Sequence, residues 1–476
     1  MLLKLNMIGN MVKAIPTMEK NLIYLKGLIR MKRTGYREIF RQKEFMKTVI
    51  ADIINRFGDS VDTIAFIWMV YQVTNSAAWS ALIFGANKLP TVFLQPVAGA
   101  LVERLIKKRI MVLTDIIRGV VVGFIATAYM VGFLNKWHLL LATLIISSAE
   151  AFRGPASSSL LPKLLKQEYY EFGLSFNRSA NSIMELVGLS AAGVIIAKFS
   201  IAAAIYIDMA TFFVSAFILS LLRVKEDIKT NASFNAKEYF HTLKEGFAYL
   251  KEQTLLKYFV ILALFLNAIL VPFNSLMAPA ISELLGAGEL MMSVLSTALS
   301  IGMIVGASVY PYISRRMSKR AILATGGYSI ALFYFSFILA GNFLSSELAK
   351  YIVIAVVSFV VGAAISLLSS MCSVEFIKNV KEEYLARSSA LFGAICVAAM
   401  PVASLIVSVV SGFTSTAVLF IISGILDILI CTILCSKRMF RRVEKERAGD
   451  SIDEKARDNE ENQSDGGGLY TPVSMD

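Results

Sequence analysis

The chain consists of about a dozen apolar runs separated by short islands of charge. Each run holds roughly twenty residues, the length at which a helix crosses the hydrocarbon core of a bilayer. Hydrophobic residues make up 56% of the sequence and charged residues only 17%, whereas an average soluble domain is about a quarter charged. The pattern predicts an all-α, polytopic membrane protein.

Reading the charged islands as loops predicts twelve transmembrane helices in two six-helix halves, numbered span 1 to span 12. The N-terminal half covers 46–223 and the C-terminal half 257–437. The expected spans are 47–73, 78–104, 110–134, 137–162, 173–199, 200–223, 257–284, 290–316, 319–342, 349–377, 386–411 and 414–437.

Three further segments lie outside these spans. Residues 1–45 form a basic N-terminal extension that leads into span 1; its first part is predicted either as an amphipathic helix on anionic headgroups or as an ill-defined extension. The joining segment 224–256 repeats apolar residues every three or four positions, which predicts an amphipathic linker helix. The charged tail 438–476 is expected to be disordered.

Lysine and arginine are distributed unequally between the two sides that twelve spans define. One side holds only Lys136, Lys198 and Lys350. The opposite side, which includes both termini, holds Arg104, Lys107, Lys108, Arg109, Lys163, Lys166, Lys225, Arg315, Arg316, Lys319, Arg320, Lys378, Lys381, Lys437 and Arg438. Because basic loops stay in the cytoplasm, both termini are predicted to be cytoplasmic. Membrane topology therefore accounts for the net charge of +12 better than nucleic-acid binding does.

The two halves share a weak internal repeat. Arg104 followed by Lys108-Arg109 matches Arg315 followed by Lys319-Arg320, and Arg178-Ser179 matches Arg387-Ser388. Both correspondences fall close to one offset, as expected for a carrier built from two pseudo-symmetric halves with its substrate site between them.

The loop after span 2 contains Gly99, Leu101, Glu103, Arg104, Ile106, Lys107 and Lys108. It resembles the signature loop of the major facilitator superfamily, Gly-x-Leu-x-Asp-Arg-x-Gly-Arg-(Arg/Lys), with Ile106 in the place of glycine. Arg56-Phe-Gly-Asp59, Gln95-Pro96-Val-Ala-Gly99 and Phe152-Arg-Gly-Pro155 resemble the branch that contains macrolide-efflux proteins and the enterobactin exporter. The resemblance implies the major facilitator fold.

The same resemblance implies a conformational gate. Gly99 permits a close helix approach, and by family analogy Glu103 faces the positive end of span 11. The alternative is that these residues only set topology. The predicted gate residues are Gly99, Glu103, Arg104, Lys107, Lys108, Arg109, Asp115 and Arg118.

Ionisable groups within spans are functional candidates, because burying them costs several kcal/mol unless they are paired. Asp62, Asp59, Glu185 and Glu150 are the candidates for proton coupling, with Arg56, Arg153 and Arg178 as charge partners. The alternative is a structural charge network. Asp208, Glu375 and Asp427 are expected near span ends, where their side chains reach the interface.

Aromatic and methionine-rich faces are expected to line the central cavity, which suits bulky amphipathic compounds. The candidates are Trp68, Tyr71, Phe265, Asn267 and Asn274. The alternative is that these side chains simply fill the interior of the helix bundle.

No catalytic or metal-ligand cluster is apparent: the four cysteines lie inside spans, and His138 and His241 are far apart. No cofactor and no phosphate-binding loop are expected. The sequence predicts a secondary active transporter in the cell membrane, a monomer that carries out proton-coupled efflux of a hydrophobic or amphipathic drug, siderophore or peptide-like compound. The alternatives are a lipid or lysolipid flippase, an importer, or a non-transporting scaffold. Anionic lipids are expected as partners at the cytoplasmic face.

Overall fold

The computed structural model describes residues 39–102, 104–166, 169–224, 254–380 and 382–436. Over these residues the helices follow the twelve predicted spans, so the span numbers are kept. Spans 1 to 6 are Lys43–Thr74, Ala77–Phe93 with Gln95–Val102, Lys107–Val131, Lys136–Leu160, Tyr170–Lys198 and Ile201–Ser220. Spans 7 to 12 are Thr254–Ile269 with Val271–Ser275 and Met277–Leu285, Glu289–Ile313, Lys319–Phe343, Glu347–Asn379, Glu382–Ser411 and Thr416–Leu434.

The spans differ in how well they suit a bilayer by themselves. Eight helices in the described part of the chain (spans 3 to 6, 8 to 10 and 12) are long and apolar enough to cross a membrane alone, and span 7 qualifies as a pair bent by 56°. Span 1 carries several charges along its length, span 2 is interrupted at Leu94, and the apolar part of span 11 covers only Ile395–Ser411. These three spans therefore depend on neighbouring helices for burial.

Local sequence explains where many helices begin and end. Ser76, Ser200, Ser318, Ser346 and Ser415 each accept a backbone N–H as the N-cap of the following span, which satisfies a donor that the helix leaves open. Span 3 ends at Gly132, whose φ of 83° is easily adopted only by glycine. The loops after odd-numbered spans lie at one end of the bundle, which we call the far end. We call the opposite end, with loops 102–107 and 313–319, the basic end.

Each half is held together by similar contacts at the basic end. Lys108 Nζ at the start of span 3 donates to Leu222 O just after span 6, at 2.8 Å. Arg320 Nε at the start of span 9 donates to Cys435 O just after span 12, at 2.5 Å. The repeated basic motif thus performs the same structural task in both halves: it binds terminal helix carbonyls, which carry partial negative charge.

Several predictions concern segments that the structure does not describe. These are the extension before residue 39, the amphipathic part of the linker and the tail after 436. The carboxylate of Glu103 in the predicted gate also lies outside the described residues.

Candidate functional site

The two halves meet tightly at the far end, where span 2 packs on span 11 and span 5 on span 8. Ser404 Oγ of span 11 donates a hydrogen bond to Ala81 O of span 2, and Ser408 Oγ donates to Ala78 O at 2.8 Å. In the related pair, Gly193 N of span 5 donates to Ser293 Oγ of span 8 at 2.6 Å. These backbone contacts close the bundle at its far end.

Glycine makes this close approach possible. A Cβ at Gly193 would lie within 3.0 Å of both the Ser293 side chain and the Leu290 backbone. A Cβ at Gly85 would lie within 3.0 Å of the Ser404 side chain. Tyr71 OH adds a further bond across the halves, to Glu283 Oε1 at 2.8 Å.

A buried charge cluster occupies the interior of the N-terminal half. Arg153 of span 4 binds Asp115 of span 3 at 2.6 Å and Asp52 of span 1 at 3.3 Å. Ser215 of span 6 donates to the second oxygen of Asp115 at 2.6 Å. Asp115 is fully buried, so this cluster joins four helices through groups that could not remain there unpaired.

A second cluster lies beside it around Arg118 of span 3. Its two terminal nitrogens bind Asp59 of span 1 at 2.6 Å and Glu150 of span 4 at 2.8 Å. The guanidinium also lies 4.2 Å from the centre of the Phe212 ring, a favourable cation–π geometry. Half of the Glu150 side chain is exposed, so this cluster reaches from the interior to an open surface.

That surface is a cavity of about 660 Å³ between spans 1, 4 and 5. Arg56, Arg178 and Glu185 line it with the exposed edges of the two clusters, and Asn177, Asn181, Ser157, Ser158 and Ser182 add polar groups. Arg56, Arg178 and Glu185 are exposed. None of the three forms an ion pair with another described residue. The cavity is therefore polar and carries charges of both signs.

Asp62 lies in a smaller cavity of about 230 Å³ formed by both halves. Lys88 of span 2 and Asn274 of span 7 line the same space. Asp62 has no ion pair with a residue in the described ranges, in contrast to Asp59 one turn earlier. Asp62 therefore takes no part in the ion pairs of the two arginine clusters.

The aromatic cavity candidates occupy different settings. Trp68 and Tyr71 are buried, at 6% and 8% exposure, and Phe265 lines a narrow crevice beside Asp427. The amide nitrogens of Asn267 and Asn274 donate to carbonyls of their own helix. Of these five residues, Asn274 lines the cavity that contains Asp62.

The predicted gate residues divide into two groups. Asp115 and Arg118 belong to the buried clusters. At the basic end, Lys107 is 3% exposed, Arg109 is exposed, and Arg104 N donates to Leu101 O at 3.1 Å. A Cβ at Gly99 would meet no described atom within 4 Å, so in this conformation no described helix packs on that face.

The expectation that Asp208 and Asp427 lie near span ends is wrong. Asp208 is 1% exposed in the middle of span 6, where Thr211 is its hydrogen-bond partner. Asp427 is 2% exposed within span 12, and its Oδ2 has no hydrogen-bond partner among the described residues. The predicted spans 200–223 and 414–437 already placed both residues several positions from either end, and this could have indicated that they are buried. Glu375 lies nearer a helix end and binds Lys319 at 2.5 Å.

Comparison with known proteins gives consistent matches. The family described as transmembrane secretion effector matches residues 37–466. Macrolide efflux protein A of Streptococcus pyogenes is 22% identical over 369 residues, covering 78% of this chain and 89% of the relative. The multidrug efflux pump Tap of Mycolicibacterium fortuitum is 24% identical over 279 residues, covering 56% of this chain and 66% of the relative. Among solved structures, the nucleoside transporter NupG aligns with a TM-score of 0.67 and 14% identity, covering 83% of this chain and 99% of that one.

Proposed function

The chain belongs to the transmembrane secretion effector family of the major facilitator superfamily, and on that premise we propose that it exports an amphipathic small molecule by proton-coupled alternating access. The family and its relatives are transporters of the cell membrane rather than enzymes. Two of the relatives are named as efflux proteins, which supports the outward direction.

One observation carries the proposal: the far end is closed by contacts between the halves, while a charged cavity lies towards the basic end. The positive-inside rule assigns the basic end to the cytoplasm. In that orientation both termini are cytoplasmic, and the conformation is sealed outside, as an exporter is when it loads cargo. Rocking of the halves would then break the far-end contacts and expose the cavity outside.

Proton coupling is assigned first to Asp62. Asp59 and Glu150 are both ion-paired with the guanidinium of Arg118, at 2.6 and 2.8 Å. Asp62 lies apart from such a partner in the cavity between the halves. Protonation of this carboxyl would remove a negative charge from the interface on which the halves move.

Transport by the purified full-length protein in proteoliposomes tests the proposal, with ethidium and erythromycin as probe cargoes. An imposed pH gradient should drive probe movement, and a protonophore should abolish it. Asp62→Asn should retain probe binding and lose the response to the gradient, whereas the exposed control Glu347→Gln should behave like the unmodified protein. Gradient-driven transport that persists in Asp62→Asn would contradict the assignment of Asp62.

A further inference from the structure

Span 6 contains a buried carboxyl group that takes no part in the two arginine clusters. Asp208 lies in the middle of this span and is 1% exposed. Its side chain accepts a hydrogen bond from Thr211 Oγ1 at 3.3 Å, and it forms no ion pair with another described residue. An ionised carboxylate is costly at membrane depth without a cation, so this group needs a proton or a charged partner.

A glycine on span 1 lets Asp208 approach that helix closely. A Cβ at Gly58 would lie within 3.0 Å of both Asp208 Oδ1 and the Thr211 side chain, so the carboxyl group rests on the backbone of span 1. Asp59 follows Gly58 directly, and Asp62 lies one helical turn beyond Gly58 on the same face. These two carboxyl groups are accordingly the charged neighbours of Asp208 on span 1.

The cation beside Asp208 does not bind it. The guanidinium of Arg118 lies 4.2 Å from the ring of Phe212, one turn after Asp208, and its terminal nitrogens bind Asp59 and Glu150. Arg118 Nε is buried and has no hydrogen-bond acceptor among the described residues. An ionised carboxylate next to a guanidinium with an unused N–H group is expected to accept that bond, so the geometry indicates that Asp208 carries a proton.

The remaining neighbour of span 6 brings no further charge to this carboxyl group. Span 5 also packs on span 6, but its Arg178 and Glu185 line the larger cavity. Asp62 is therefore left beside Asp208 with no cation bonded to either carboxyl group in the described part of the chain. Two such neighbours repel each other when both are ionised, and one shared proton removes the repulsion.

We propose that Asp208 and Asp62 form a two-carboxyl proton site, in which a proton passes between span 6 and span 1. The inference rests on the proposed function and adds Asp208 to its proton-carrying residues. In the transfer, the O–H bond of one carboxyl group breaks as an O–H bond forms on the other, and the pair keeps a single negative charge. Asp62 borders the cavity between the halves, whereas Asp208 lines neither that cavity nor the larger one. Asp62 therefore exchanges the proton with the cavity, and Asp208 holds it in the interior while the halves move.

Infrared spectroscopy of the purified full-length protein tests the inference without any cargo. A protonated carboxyl group gives a C=O stretching band that an ionised carboxylate lacks. At neutral pH, Asp208→Asn and Asp62→Asn should each change the frequency or intensity of one such band, and the double variant should remove it. Glu375→Gln replaces a buried carboxylate that is ion-paired with Lys319. It is the matched control and should leave the band unchanged.

Proteoliposomes show whether this site carries the transported proton. Asp208→Asn should keep the exchange of ethidium for ethidium, which needs no net proton movement, and should lose the response to a pH gradient. Thr211→Val removes the hydrogen-bond donor beside Asp208 but keeps the carboxyl group, so it is the control and should keep both activities. Thermal unfolding of each variant verifies that it is folded.

The outcomes separate this inference from the proposed function. A band that is unchanged in Asp208→Asn, or one that changes there but not in Asp62→Asn, would overturn the two-carboxyl site whatever the transporter carries. A gradient response that persists in Asp208→Asn would also overturn it, as would the loss of ethidium exchange in a folded variant, which would assign Asp208 a structural role. The expected band changes would support the site even if neither ethidium nor erythromycin moved, a result that would contradict only the proposed export of such compounds.

Discussion

The interiors of the two halves contrast in chemistry although the halves share one topology. The N-terminal half is joined across its helices by the ion pairs of Arg153 and Arg118. The C-terminal half is joined by edge-to-face aromatic contacts, in which Phe420 packs on Tyr334 at 5.1 Å and on Phe337 at 5.4 Å between ring centres. Aromatic packing of this kind has no net charge to balance.

The contrast indicates that the two halves respond differently to protonation and to charged ligands. A charged interior responds to protonation or to a charged ligand, because each neutralised group changes which pairs are satisfied. Aromatic contacts are themselves insensitive to both, and in the C-terminal half the buried carboxylate of Asp427 stands outside them. The repeat of the fold therefore does not imply a repeat of the chemistry.

The sharpest test of this contrast removes an arginine from the charged interior. Arg153→Met leaves Asp52 and Asp115 buried without their cation, and should lower the free energy of unfolding by about 3–5 kcal/mol. Lys319→Met removes a half-exposed cation from one buried carboxylate, Glu375, in the other half and should cost less, about 1–3 kcal/mol. Chemical unfolding in detergent measures both, and equal losses would contradict the contrast.

A second test breaks the contact between the halves at the far end. Gly193→Leu places a bulky side chain against Ser293 and Leu290, so the closed far end should be disfavoured by about 1–3 kcal/mol. Spin labels at Lys198→Cys and Leu348→Cys, with the four native cysteines replaced, should report longer distances. Gly393→Leu, which meets open space among the described residues, is the control and should leave the distance distribution unchanged.

A third test addresses the aromatic half. Tyr334 OH donates to Ile269 O at 2.6 Å and accepts from Phe273 N at 3.1 Å. It thereby gives hydrogen-bond partners to two backbone groups at the break in span 7. Tyr334→Phe should therefore lower unfolding stability by about 1–2 kcal/mol. Tyr328→Phe, at an exposed hydroxyl that contacts Thr432, should change it by only a few tenths of a kcal/mol. Similar losses in both variants would argue against a structural role for the Tyr334 hydroxyl.

The smallest expected effect concerns one hydrogen bond between the halves. Tyr71→Phe removes the bond to Glu283 and should shift the population away from the closed far end by roughly two- to tenfold. Tyr129→Phe, whose bond to Gln72 stays within the first half, is the matched control. The same pair of spin labels measures both, and a shift in the control alone would show that the closure depends on other contacts.

Much of the fold could be predicted because it depends on local patterns of hydrophobic and charged residues. Runs of apolar residues located the spans, charged islands placed their boundaries, and charge asymmetry suggested the orientation. Span 6 shows the limit of this reasoning. Its apolar run was evident, but Asp208 was expected near an end, because one carboxylate in an apolar helix carries no mark of what packs around it.

The sequence could indicate which ionisable residues belong to the candidate site, but it could not indicate which of them form ion pairs with each other. The sequence predicted Arg56 to be a charge partner of the carboxylates within the spans. In the structure Asp52 and Asp59 pair instead with Arg153 and Arg118 from other spans, and Arg56 turns to the cavity. Pairing across helices depends on rotation and depth, which no local pattern specifies.

The sequence by itself determined that this chain crosses a membrane many times, that it repeats its architecture, and that one half concentrates ionisable groups, because hydropathy and composition are local properties. Only the tertiary structure decided which charges neutralise each other, which three face a cavity, and which end of the bundle is closed. Those outcomes depend on distances between helices that are remote in sequence. Electrostatic and packing energies change steeply with distance, so they follow from the positions of the helices and not from the order of the residues.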